Sequence, residues 1–555
     1  MSVLQFTSAN CRDCYKCVRA CPVKAIEVKG HQAQIIEREC ILCGRCTIVC
    51  PQKSKQAVSE LEGLKTSLRA GTPVVLSVAP SFCLYFGVAF PALREALLGL
   101  GFCDAAETAE GAYLVKSAYE RLVRENPDGV LISSACTAVD RLIRTRWPAL
   151  LPHLAAVETP VRAHADLLRQ RYPEAKIAFA SPCIAKLSER EDGAPIDFFL
   201  SFEELAGLLA EVSFPETAED DPRRARIFPT DGGIIGSMYR QPGHDYLSVS
   251  GYDQCAAALE EVAAGALRGC FIEMSLCPGS CAGGPSFQRR GGRPLAGRVL
   301  LDRLAGPTPE RDFDCAAAGP LTQDYPAAGL PVRARPTEEQ LQSVLRKMGK
   351  HSPADELNCG MCGYPSCRDK AAAVLRGKAE PEMCLPYMRE RAESLSNQII
   401  SVTPNAIVAV DGALRVHQIN RAACQLFGLA PEDLVGQPVS RILDEFDFVE
   451  LLSSGGEQKQ KYAFLAEYNL YLEQIFRFDK SSGMIVCIMK DVTGERRRKN
   501  AVTQKKLQTA AMADDIADRQ LRIVHEIASL LGETAAETKL AIHDLKETIL
   551  LDDED

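Results

Sequence analysis

The sequence predicts a multidomain protein of α/β and α+β class, and three observations support this fold class. The chain has 555 residues, more than one domain normally holds. Its 23 cysteines are bunched, with eight before residue 51 and four between residues 359 and 384. Apolar runs alternate with helix-like stretches over residues 61–335, which is typical of an α/β sheet. We expect five segments, which comprise residues 1–60, 61–335, 336–392, 393–495 and 496–555.

Charge and hydropathy argue against several functional classes. The formal net charge of -9 disfavours a nucleic acid partner. No stretch approaches ~18 consecutive apolar residues, so we expect no membrane-spanning helix. Met1 to Asn10 is too short and too polar for a signal peptide, which favours a cytoplasmic location. Thiols stay reduced in that compartment, where clustered cysteines usually hold metals or take part in redox chemistry.

Residues 1–60 contain two cysteine runs of identical spacing. The runs are Cys11-x2-Cys14-x2-Cys17-x3-Cys21-Pro22 and Cys40-x2-Cys43-x2-Cys46-x3-Cys50-Pro51. Two-residue gaps let one loop hold three corners of a cubane, while the fourth cysteine, before proline, reaches the other cubane. We therefore predict two [4Fe–4S] sites: site a, with Cys11, Cys14, Cys17 and Cys50, and site b, with Cys40, Cys43, Cys46 and Cys21. The segment resembles bacterial two-cluster ferredoxins. Paired zinc sites are the alternative, against which the doubled cysteine-proline endings argue.

Four cysteines of residues 61–335 stand in informative contexts, two of them directly after apolar runs. The motifs are Ser133-Ser134-Ala135-Cys136-Thr137, Ser181-Pro182-Cys183 and Glu273-Met274-Ser275-Leu276-Cys277-Pro278-Gly279-Ser280-Cys281. Chemistry in open α/β sheets usually occurs at the carboxyl ends of strands. Four thiolates from distant loops can hold one cubane, and the neighbouring glycines allow close backbone approach. We call Cys136, Cys183, Cys277 and Cys281 the central site. Lys186 would be a buried cation beside these anionic ligands.

These motifs resemble, in order, the three H-cluster signatures of [FeFe]-hydrogenases, which read T-S-C-C-P, M-P-C-x-x-K-x-x-E and E-x-M-A-C-x-x-G-C. The similarity covers roughly residues 79–287. It implies that the four cysteines of the central site bind the [4Fe–4S] half of an H-cluster. It further implies that Cys281 bridges to a two-iron half, which carries CO, CN⁻ and a dithiolate, and that Lys186 hydrogen-bonds a cyanide.

The chain departs from the family pattern at the positions that serve proton transfer and the two-iron half. The family has a proton-relaying cysteine directly before the first ligand, where this chain has Ala135, whose methyl group cannot carry a proton. Ser181 and Ser275 replace the usual flanking methionines, and residues 116–119 align with the family's acidic helix. General acid–base relay contributes roughly 10²–10⁴-fold to rates, so we expect a slow enzyme that still binds hydrogen.

An ordinary [4Fe–4S] domain that has lost its two-iron half is the alternative interpretation of this segment. Lys186 and Glu189 remain in register with the second signature, which argues against such decay. Five further cysteines fall outside the signatures, and free cysteine is among the most buried residue types. We therefore expect core positions for Cys83, Cys103, Cys255, Cys270 and Cys315.

Residues 336–392 contain a second compact group of cysteines. Cys359, Cys362 and Cys367 can grip one site from a loop, and Cys384 closes it after a helix-like stretch. The arrangement resembles the small [4Fe–4S] domain of corrinoid iron–sulfur proteins. Zinc is the alternative because four thiolates suit either metal site, but the redox context favours a cluster. We call these four cysteines site c and expect it to pass the redox state onward.

Residues 393–495 resemble a PAS domain. Asp411-Gly412 between apolar runs predicts a hairpin, and a helix should open at Asn420. Later strands are expected over residues 462–478 and 484–489. PAS domains often bind a small cofactor or transmit signals as dimers, and the ligand here stays open because no haem-attachment motif Cys-x-x-Cys-His is present. Two residues are expected as core and surface residues rather than ligands: Cys424 and His417.

Residues 496–555 lack proline, contain one glycine and are expected to form helix. Apolar residues such as Ile523, Ile527 and Leu530 recur near helical spacing, which predicts a packed helical hairpin or a coiled-coil dimer. His525-Glu526 resembles the phosphoacceptor dyad of histidine kinases, but no glycine-rich ATP-binding domain follows. A surface or interface histidine is therefore favoured, and His525 is a candidate phosphoacceptor only for a kinase acting in trans.

These resemblances together predict a sensory [FeFe]-hydrogenase, an oxidoreductase of the ferredoxin hydrogenase class. It would hold three [4Fe–4S] clusters and an H-cluster, interconvert H2 and protons slowly, and exchange electrons with a redox partner such as ferredoxin. The PAS domain and the helical tail would report its state, as a homodimer, to a kinase or phosphatase. The alternatives are a fast metabolic ferredoxin-linked [FeFe]-hydrogenase and a non-catalytic iron–sulfur redox switch.

Overall fold

The computed structural model describes residues 3–214, 222–289, 299, 301–303, 312–330, 335–454 and 456–551. The chain divides into two compact units, Met1–Met388 and Arg389–Asp555. Each unit has its own hydrophobic core.

The N-terminal part of the first unit is built on two short helices, and each helix begins inside one cysteine run. These helices are α1 (Lys16–Ala20), which contains Cys17, and α2 (Arg45–Val49), which contains Cys46. Two antiparallel strand pairs accompany them: β1 (Leu4–Phe6) pairs with β4 (Lys55–Ala57), and β2 (Ile26–Lys29) pairs with β3 (Gln32–Ile35). One short helix therefore lies in each of the two cysteine runs.

Two parallel sheets organise the following part of the first unit. Their strands are β5 (Val74–Val78), β6 (Asp104–Glu107), β7 (Val130–Ile132), β8 (Lys176–Ser181), β9 (Phe198–Ser201), β10 (Asp245–Ser250) and β11 (Cys270–Ser275). The strand orders are β6-β5-β8-β9 and β10-β11-β7. Strands β5 and β11 are buried along their whole length, which explains why they read as continuous rather than alternating apolar runs.

Helices connect these strands. They are α3 (Leu61–Arg69), α4 (Phe82–Phe86), α5 (Phe90–Gly99), α6 (Ala109–Glu125), α7 (Thr137–Arg146), α8 (Pro160–Arg171), α9 (Phe202–Leu208), α10 (Gly233–Ser237), α11 (Tyr252–Ala263) and α12 (Pro285–Arg289). Because every strand pair in both sheets is parallel, the carboxyl ends within each sheet lie at one edge.

The first unit ends in a small helical part that shares a core with the N-terminal part. Its helices are α13 (Glu338–Lys347) and α14 (Cys367–Leu375), and α15 (Leu385–Val402) follows along the chain. Thr337 caps α13 by accepting the backbone N–H of Gln340, whose side chain returns to the Thr337 N–H. Tyr364 and Met383 belong to the same hydrophobic cluster as Val18 and Ile26 of the N-terminal part.

A five-stranded antiparallel sheet forms the second unit. Its strands are β12 (Ala406–Val410), β13 (Val416–Ile419), β14 (Gln458–Leu465), β15 (Leu470–Asp479) and β16 (Met484–Asp491), in the order β13-β12-β16-β15-β14. Its helices are α16 (Arg421–Phe427), α17 (Pro431–Leu434) and α18 (Phe446–Ser454). The hairpin at Asp411-Gly412 and the helix capped by Asn420 are present as expected. The single strand expected over residues 462–478 is wrong, because Asn469, at a φ of 53°, turns the chain between β14 and β15.

The C-terminal segment is one continuous helix, α19 (Thr493–Leu551). The expected helix is therefore present, but the chain does not fold back into a hairpin. Its apolar side chains, among them Ile523, Ile527 and Leu530, are exposed in this single chain. No helix among the described residues is long and apolar enough to cross a membrane.

The aromatic pair of the second unit allows a matched test of its core. Phe448 is fully buried against Phe476, with ring centroids 5.0 Å apart in an edge-to-face geometry, whereas Phe446 of the same helix is 65% exposed. Phe448→Ala should lower the free energy of unfolding of this unit by about 3–5 kcal/mol, because it removes a buried ring and leaves a cavity. Phe446→Ala should change that free energy by less than about 0.5 kcal/mol. Denaturant unfolding of the full chain would measure both, and equal losses would contradict this core assignment.

Candidate metal centre

The structure brings the four cysteines of the central site together around one cavity. Cys136 caps the N-terminus of α7 after β7, and Cys183 follows β8 by two residues. Cys277 follows β11 by two residues, and Cys281 lies in a short 3-10 helix, Ser280–Gly283. All four line a cavity of about 30 Å³, and Cys43 of the N-terminal part lines it as well. Strand ends from both parallel sheets therefore supply this set of thiols.

A glycine is required where the last loop closes around the central site. A Cβ atom added to Gly283 would lie 1.8 Å from the carbonyl oxygen of Pro278, which no side chain can tolerate. The glycine therefore allows the loop that carries Cys277 and Cys281 to close tightly upon itself. The sequence predicts such a close backbone approach.

The protonation equilibria of the four thiols are dominated by their surroundings. Burial raises the pKa of Cys183 to about 11 and that of Cys281 to about 12, and it also raises the pKa values of Cys136 and Cys277. The other thiols of the set raise the pKa values of Cys183, Cys277 and Cys281 further. Four neighbouring soft donors that are costly to ionise alone suit a cationic metal–sulfur core, which compensates the thiolate charges. The residues present therefore fit an iron–sulfur cluster.

Lys186 is held beside the central site by a buried carboxylate. Its Nζ donates to the Ala135 carbonyl oxygen at 3.0 Å and to Glu189 Oε1 at 2.5 Å. Glu189 also accepts hydrogen bonds from Thr137 and Thr159, each at 2.5 Å. Burial opposes the Lys186 charge, but Glu189 and the neighbouring thiols outweigh it and raise the Lys186 pKa. Lys186 is therefore a fixed, protonated donor.

A larger cavity of about 100 Å³ adjoins the central site and shares three of its cysteines. Its wall also includes Ala135, Ser181 and Ser275, the three positions at which this chain departs from the hydrogenase signatures. Lys186, which matches the lysine of the second signature, lies in the same wall. Apolar and small residues make up much of the remaining wall, including Ala79, Ala112, Phe179, Ile234 and Met274. The structure therefore places beside Cys281 a compartment with room for a further group.

Residues 116–119, which align with the family's acidic helix, have other side chains than the carboxylates of that helix. Lys116 is 1% exposed, and its Nζ lies 3.3 Å from Glu120 and 3.5 Å from Asp312. The Tyr119 hydroxyl accepts the Ser134 N–H at 3.0 Å and lies 3.1 Å from the Ser134 hydroxyl oxygen. Lys116 therefore belongs to an ion-pair network and Tyr119 to a hydroxyl pair, whereas the resemblance leads one to expect carboxylates in this helix.

The cysteines of site b gather as the spacing predicts. Cys21 from the first run joins Cys40, Cys43 and Cys46 from the second around a cavity of about 20 Å³. In site a, the thiols of Cys11 and Cys50 act electrostatically on Cys17. Cys14 is exposed to solvent.

A buried lysine between sites a and b is not evident from the sequence. Lys55 is 1% exposed and lowers the pKa values of both Cys17 and Cys46, although burial is the largest influence on each thiol and raises them. Its ammonium also lies 4.8 Å from the centroid of the Phe6 ring. Lys55 is five residues beyond the last cysteine, outside any motif, so only the packing of β4 reveals it.

The four cysteines of site c also come together in the structure. They line a cavity of about 20 Å³ together with Tyr364 and Lys370. Lys370 is 1% exposed and donates to the Glu380 carbonyl oxygen. Burial lowers the Lys370 pKa to about 8, although the thiols of Cys362 and Cys384 oppose that shift.

The remaining candidate residues lie apart from these sites. Cys83, Cys255 and Cys270 are buried and Cys315 is half-buried, but Cys103 is exposed, so the core position expected for it is wrong. Cys424 is half-buried, and His417 and His525 are exposed. Among the described residues, no three His, Cys, Asp or Glu side chains converge on the geometry of a single metal ion. A cubane differs in this respect, since its ligands lie at separate corners.

Four protein families match successive parts of the chain. Residues 10–54 match the 4Fe-4S dicluster domain, and residues 72–245 match the C-terminal domain of the iron-only hydrogenase large subunit. Residues 355–386 match an Fe–S cluster family, and residues 395–462 match the PAS fold. The expected ferredoxin-like, hydrogenase-type, small iron–sulfur and PAS domains are thereby confirmed.

Curated relatives match parts of the chain. One component of an ion-translocating oxidoreductase complex from Methanosarcina acetivorans is 43% identical over 45 residues, which is 8% of this chain and 17% of that protein. The corresponding component from Magnetococcus marinus is 34% identical over 100 residues, or 18% of this chain and 48% of that protein. The chain therefore spans less than half the length of these relatives.

Solved structures also match parts of the chain. An [FeFe]-hydrogenase variant from Chlamydomonas reinhardtii is 15% identical, with a TM-score of 0.37, and the match covers 49% of this chain and 100% of that chain. The PAS domain of an HTR-like protein from Haloarcula marismortui is 14% identical, with a TM-score of 0.17, over 19% of this chain and 96% of that chain.

Glu273, in the third cysteine motif, is a buried carboxyl group whose ionisation should make the stability of the fold depend on pH. It is 1% exposed, its Oε2 accepts the Ile235 N–H at 3.0 Å, and its Oε1 has no hydrogen-bond partner within the described part of the chain. Burial raises its pKa from 4.5 to about 7. The folded protein therefore holds this proton more tightly than the unfolded chain, so stability is lost as the pH rises through that window.

Glu273→Gln should remove this pH dependence because glutamine stays neutral. Between pH 5 and 8 the unfolding free energy of the variant should rise relative to the parent protein by roughly 1–3 kcal/mol. Denaturant titrations at several pH values would measure it. Glu261→Gln is the matched control, since Glu261 is exposed and should leave the pH profile unchanged. If the unfolding free energies of Glu273→Gln and of the parent protein changed in parallel with pH, the ionisation assigned to Glu273 would be contradicted.

Proposed function

We propose that this protein is a cytoplasmic hydrogen sensor built on a slow [FeFe]-hydrogenase. The hydrogenase-type and PAS domains together fit a sensory hydrogenase. The observation that carries the proposal is the paired cavity: four thiols share one cavity, and the adjoining compartment has Ala135 in its wall. A site with its ligands in place and its proton carrier absent favours binding over turnover.

The residues fit the cofactors that this proposal requires. Cys136, Cys183, Cys277 and Cys281 would hold the [4Fe–4S] half of an H-cluster, with Cys281 facing the compartment for the two-iron half. When bound, the H-cluster supplies the centre at which H2 and protons with electrons are interconverted. Sites a, b and c would each hold a [4Fe–4S] cluster, which gives a soluble redox partner such as ferredoxin a route for electrons.

The protein's own side chains then determine how fast protons move. Lys186 offers a fixed N–H donor toward the compartment because Glu189 anchors it. Ala135 offers no exchangeable proton at the position where the resemblance places the relay thiol. The Tyr119 hydroxyl lies beyond it, against Ser134, and has a strongly raised pKa because it is fully buried. Binding is therefore supported, while proton delivery is slow.

The second unit supports a signalling role. A PAS domain is followed by the long helix α19, whose apolar side chains are exposed in the single chain. Such a face suits a homodimeric coiled coil or a helical partner, and a kinase or phosphatase in trans would then receive the signal. His525 lies exposed on this helix and would be the phosphoacceptor if one is used.

A non-catalytic iron–sulfur redox switch is the second candidate function. Ala135, Ser181 and Ser275 in the compartment wall favour it, since they replace residues that serve the two-iron half in the family. The iron content and hydrogen turnover of the purified protein separate the two candidates.

Ala135→Cys tests the proposed cause of slow turnover. A thiol at this position should raise hydrogen evolution with reduced viologen at least about tenfold, since a positioned acid–base group contributes roughly 10²–10⁴-fold. Ala112→Cys is the matched control, because it adds a thiol elsewhere in the wall of the same compartment and should leave turnover unchanged. An equally slow Ala135→Cys variant, or a parent protein already as fast as a metabolic hydrogenase, would refute the proposed cause.

A further inference from the structure

Site c lies directly against the N-terminal part of the first unit, and one arginine joins the two. The guanidinium of Arg19, in α1, donates to the carbonyl oxygen of Met361 at 2.7 Å. The same guanidinium donates to the carbonyl oxygen of Cys14 at 3.0 Å. Arg19 therefore ties the loop of site c to the loop of site a.

The site c loop approaches helix α1 too closely for any residue but glycine. Gly363 has a φ of 93°, and a Cβ atom built on it would lie 2.9 Å from Val18 Cγ1 and 3.0 Å from the Arg19 nitrogen. Both the backbone conformation and the contact therefore require glycine at this position. The absence of a side chain is what lets the two loops meet.

Tyr364 fills the space beside this contact. It is 4% exposed, lines the cavity of site c and belongs to the same hydrophobic cluster as Cys17 of site a and Cys21 of site b. Its hydroxyl has no hydrogen-bond partner among the described residues, so the ring is held by packing alone.

A second set of contacts fixes the other end of the same boundary. The Val28 N–H, in β2, donates to the Lys378 carbonyl oxygen at 2.9 Å. The Gly30 N–H donates to Glu380 Oε1 at 2.7 Å, and the Lys378 ammonium pairs with Glu39. Residues 378–380 thus lie against β2, whose Ile26 lines the cavity of site b.

Site b also adjoins the other two sites. Cys43 of site b lines the cavity of the central site. The backbone N–H of Cys21, in site b, donates to the carbonyl oxygen of Cys17, in site a, at 3.0 Å. Site b is therefore the one cysteine group that these contacts connect to each of the other three.

We infer that site b is a three-way electron junction, and that the Gly363–Tyr364 contact holds site c close enough to exchange electrons with it. The inference rests on the proposed function only in that sites a, b and c hold [4Fe–4S] clusters. The electron balance is simple: one electron leaves a reduced cubane at site b, and an oxidised cubane at site c takes it up. H2 oxidised at the central site, or dithionite, supplies the electron.

The two branches lead to different parts of the molecule. Site a has a solvent-exposed cysteine, Cys14, which suits exchange with a soluble redox partner. Site c ends at Cys384, and α15 begins at the next residue and runs toward the PAS domain along the chain. The branch through site a would thus serve electron exchange with a partner, and the branch through site c would deliver the redox state to the second unit.

Electron paramagnetic resonance of the full-length, dithionite-reduced protein tests this inference. Neighbouring reduced cubanes are both paramagnetic and broaden each other's signals. A Cys367→Ala variant, which lacks a site c ligand, defines the spectrum of sites a and b and the central site without site c. The parent protein should show further broadening from coupling between sites b and c.

Gly363→Ala should reduce that additional broadening, because the methyl group forces the loop away from α1 and the coupling weakens steeply with distance, while the iron content stays that of three cubanes and the central site. Gly377→Ala is the matched control. Gly377 also has a positive φ, of 69°, but a Cβ there would meet nothing within 4 Å, so this variant should retain the coupling.

Three results would overturn the inference: coupling of unchanged strength in Gly363→Ala, coupling already absent from the parent protein, or zinc instead of iron at site c. Failure of the hydrogen-sensing proposal would look different. Dithionite reduces the cubanes whether or not the two-iron half is installed, so the coupling between sites b and c would remain while hydrogen turnover and binding were absent.

Discussion

The cost of ionising thiols inside protein is the constraint on which the first unit depends. Burial raises the pKa of every cysteine in the central site, and their mutual repulsion adds to the effect for Cys277 and Cys281. A cationic cluster core, with the Lys186 ammonium beside it, would offset that cost. Glu189 in turn stabilises Lys186, and Thr137 and Thr159 satisfy Glu189. Ligands, counter-charge and supporting hydrogen bonds therefore form one interdependent set.

Parallel strands explain why this set can be assembled from residues almost 150 positions apart. The carboxyl ends of β7, β8 and β11 deliver their loops to a common place, and the N-terminal part brings Cys43 to the same cavity. The compartment beside Cys281 has the methyl group of Ala135 in its wall, which offers no exchangeable proton. The proposal of slow turnover follows from this one side chain.

The sequence was most informative where chemistry depends on local spacing. The exchange of Cys21 between the two runs, the four-residue gap to Cys281 and the Asn420 helix cap all follow from short-range geometry. Long-range packing was not predictable in the same way. Lys55 lies outside any motif, and Gly363 and Tyr364 lie between two predicted ligands of site c, but only the meeting of distant segments gives these residues a role. The turn at Asn469 was missed because no glycine or proline marks it, and Cys103 was misplaced because its type, not its position, suggested burial.

The infrared spectrum of the full-length protein, matured and purified without oxygen, tests the central claim most directly. Carbon monoxide and cyanide bound to iron absorb where proteins do not. The account predicts bands from both ligands, and it predicts that they shift when H2 replaces the inert gas. A protein that carries its full complement of cubane iron yet shows neither band would contradict the assignment of the central site as an H-cluster.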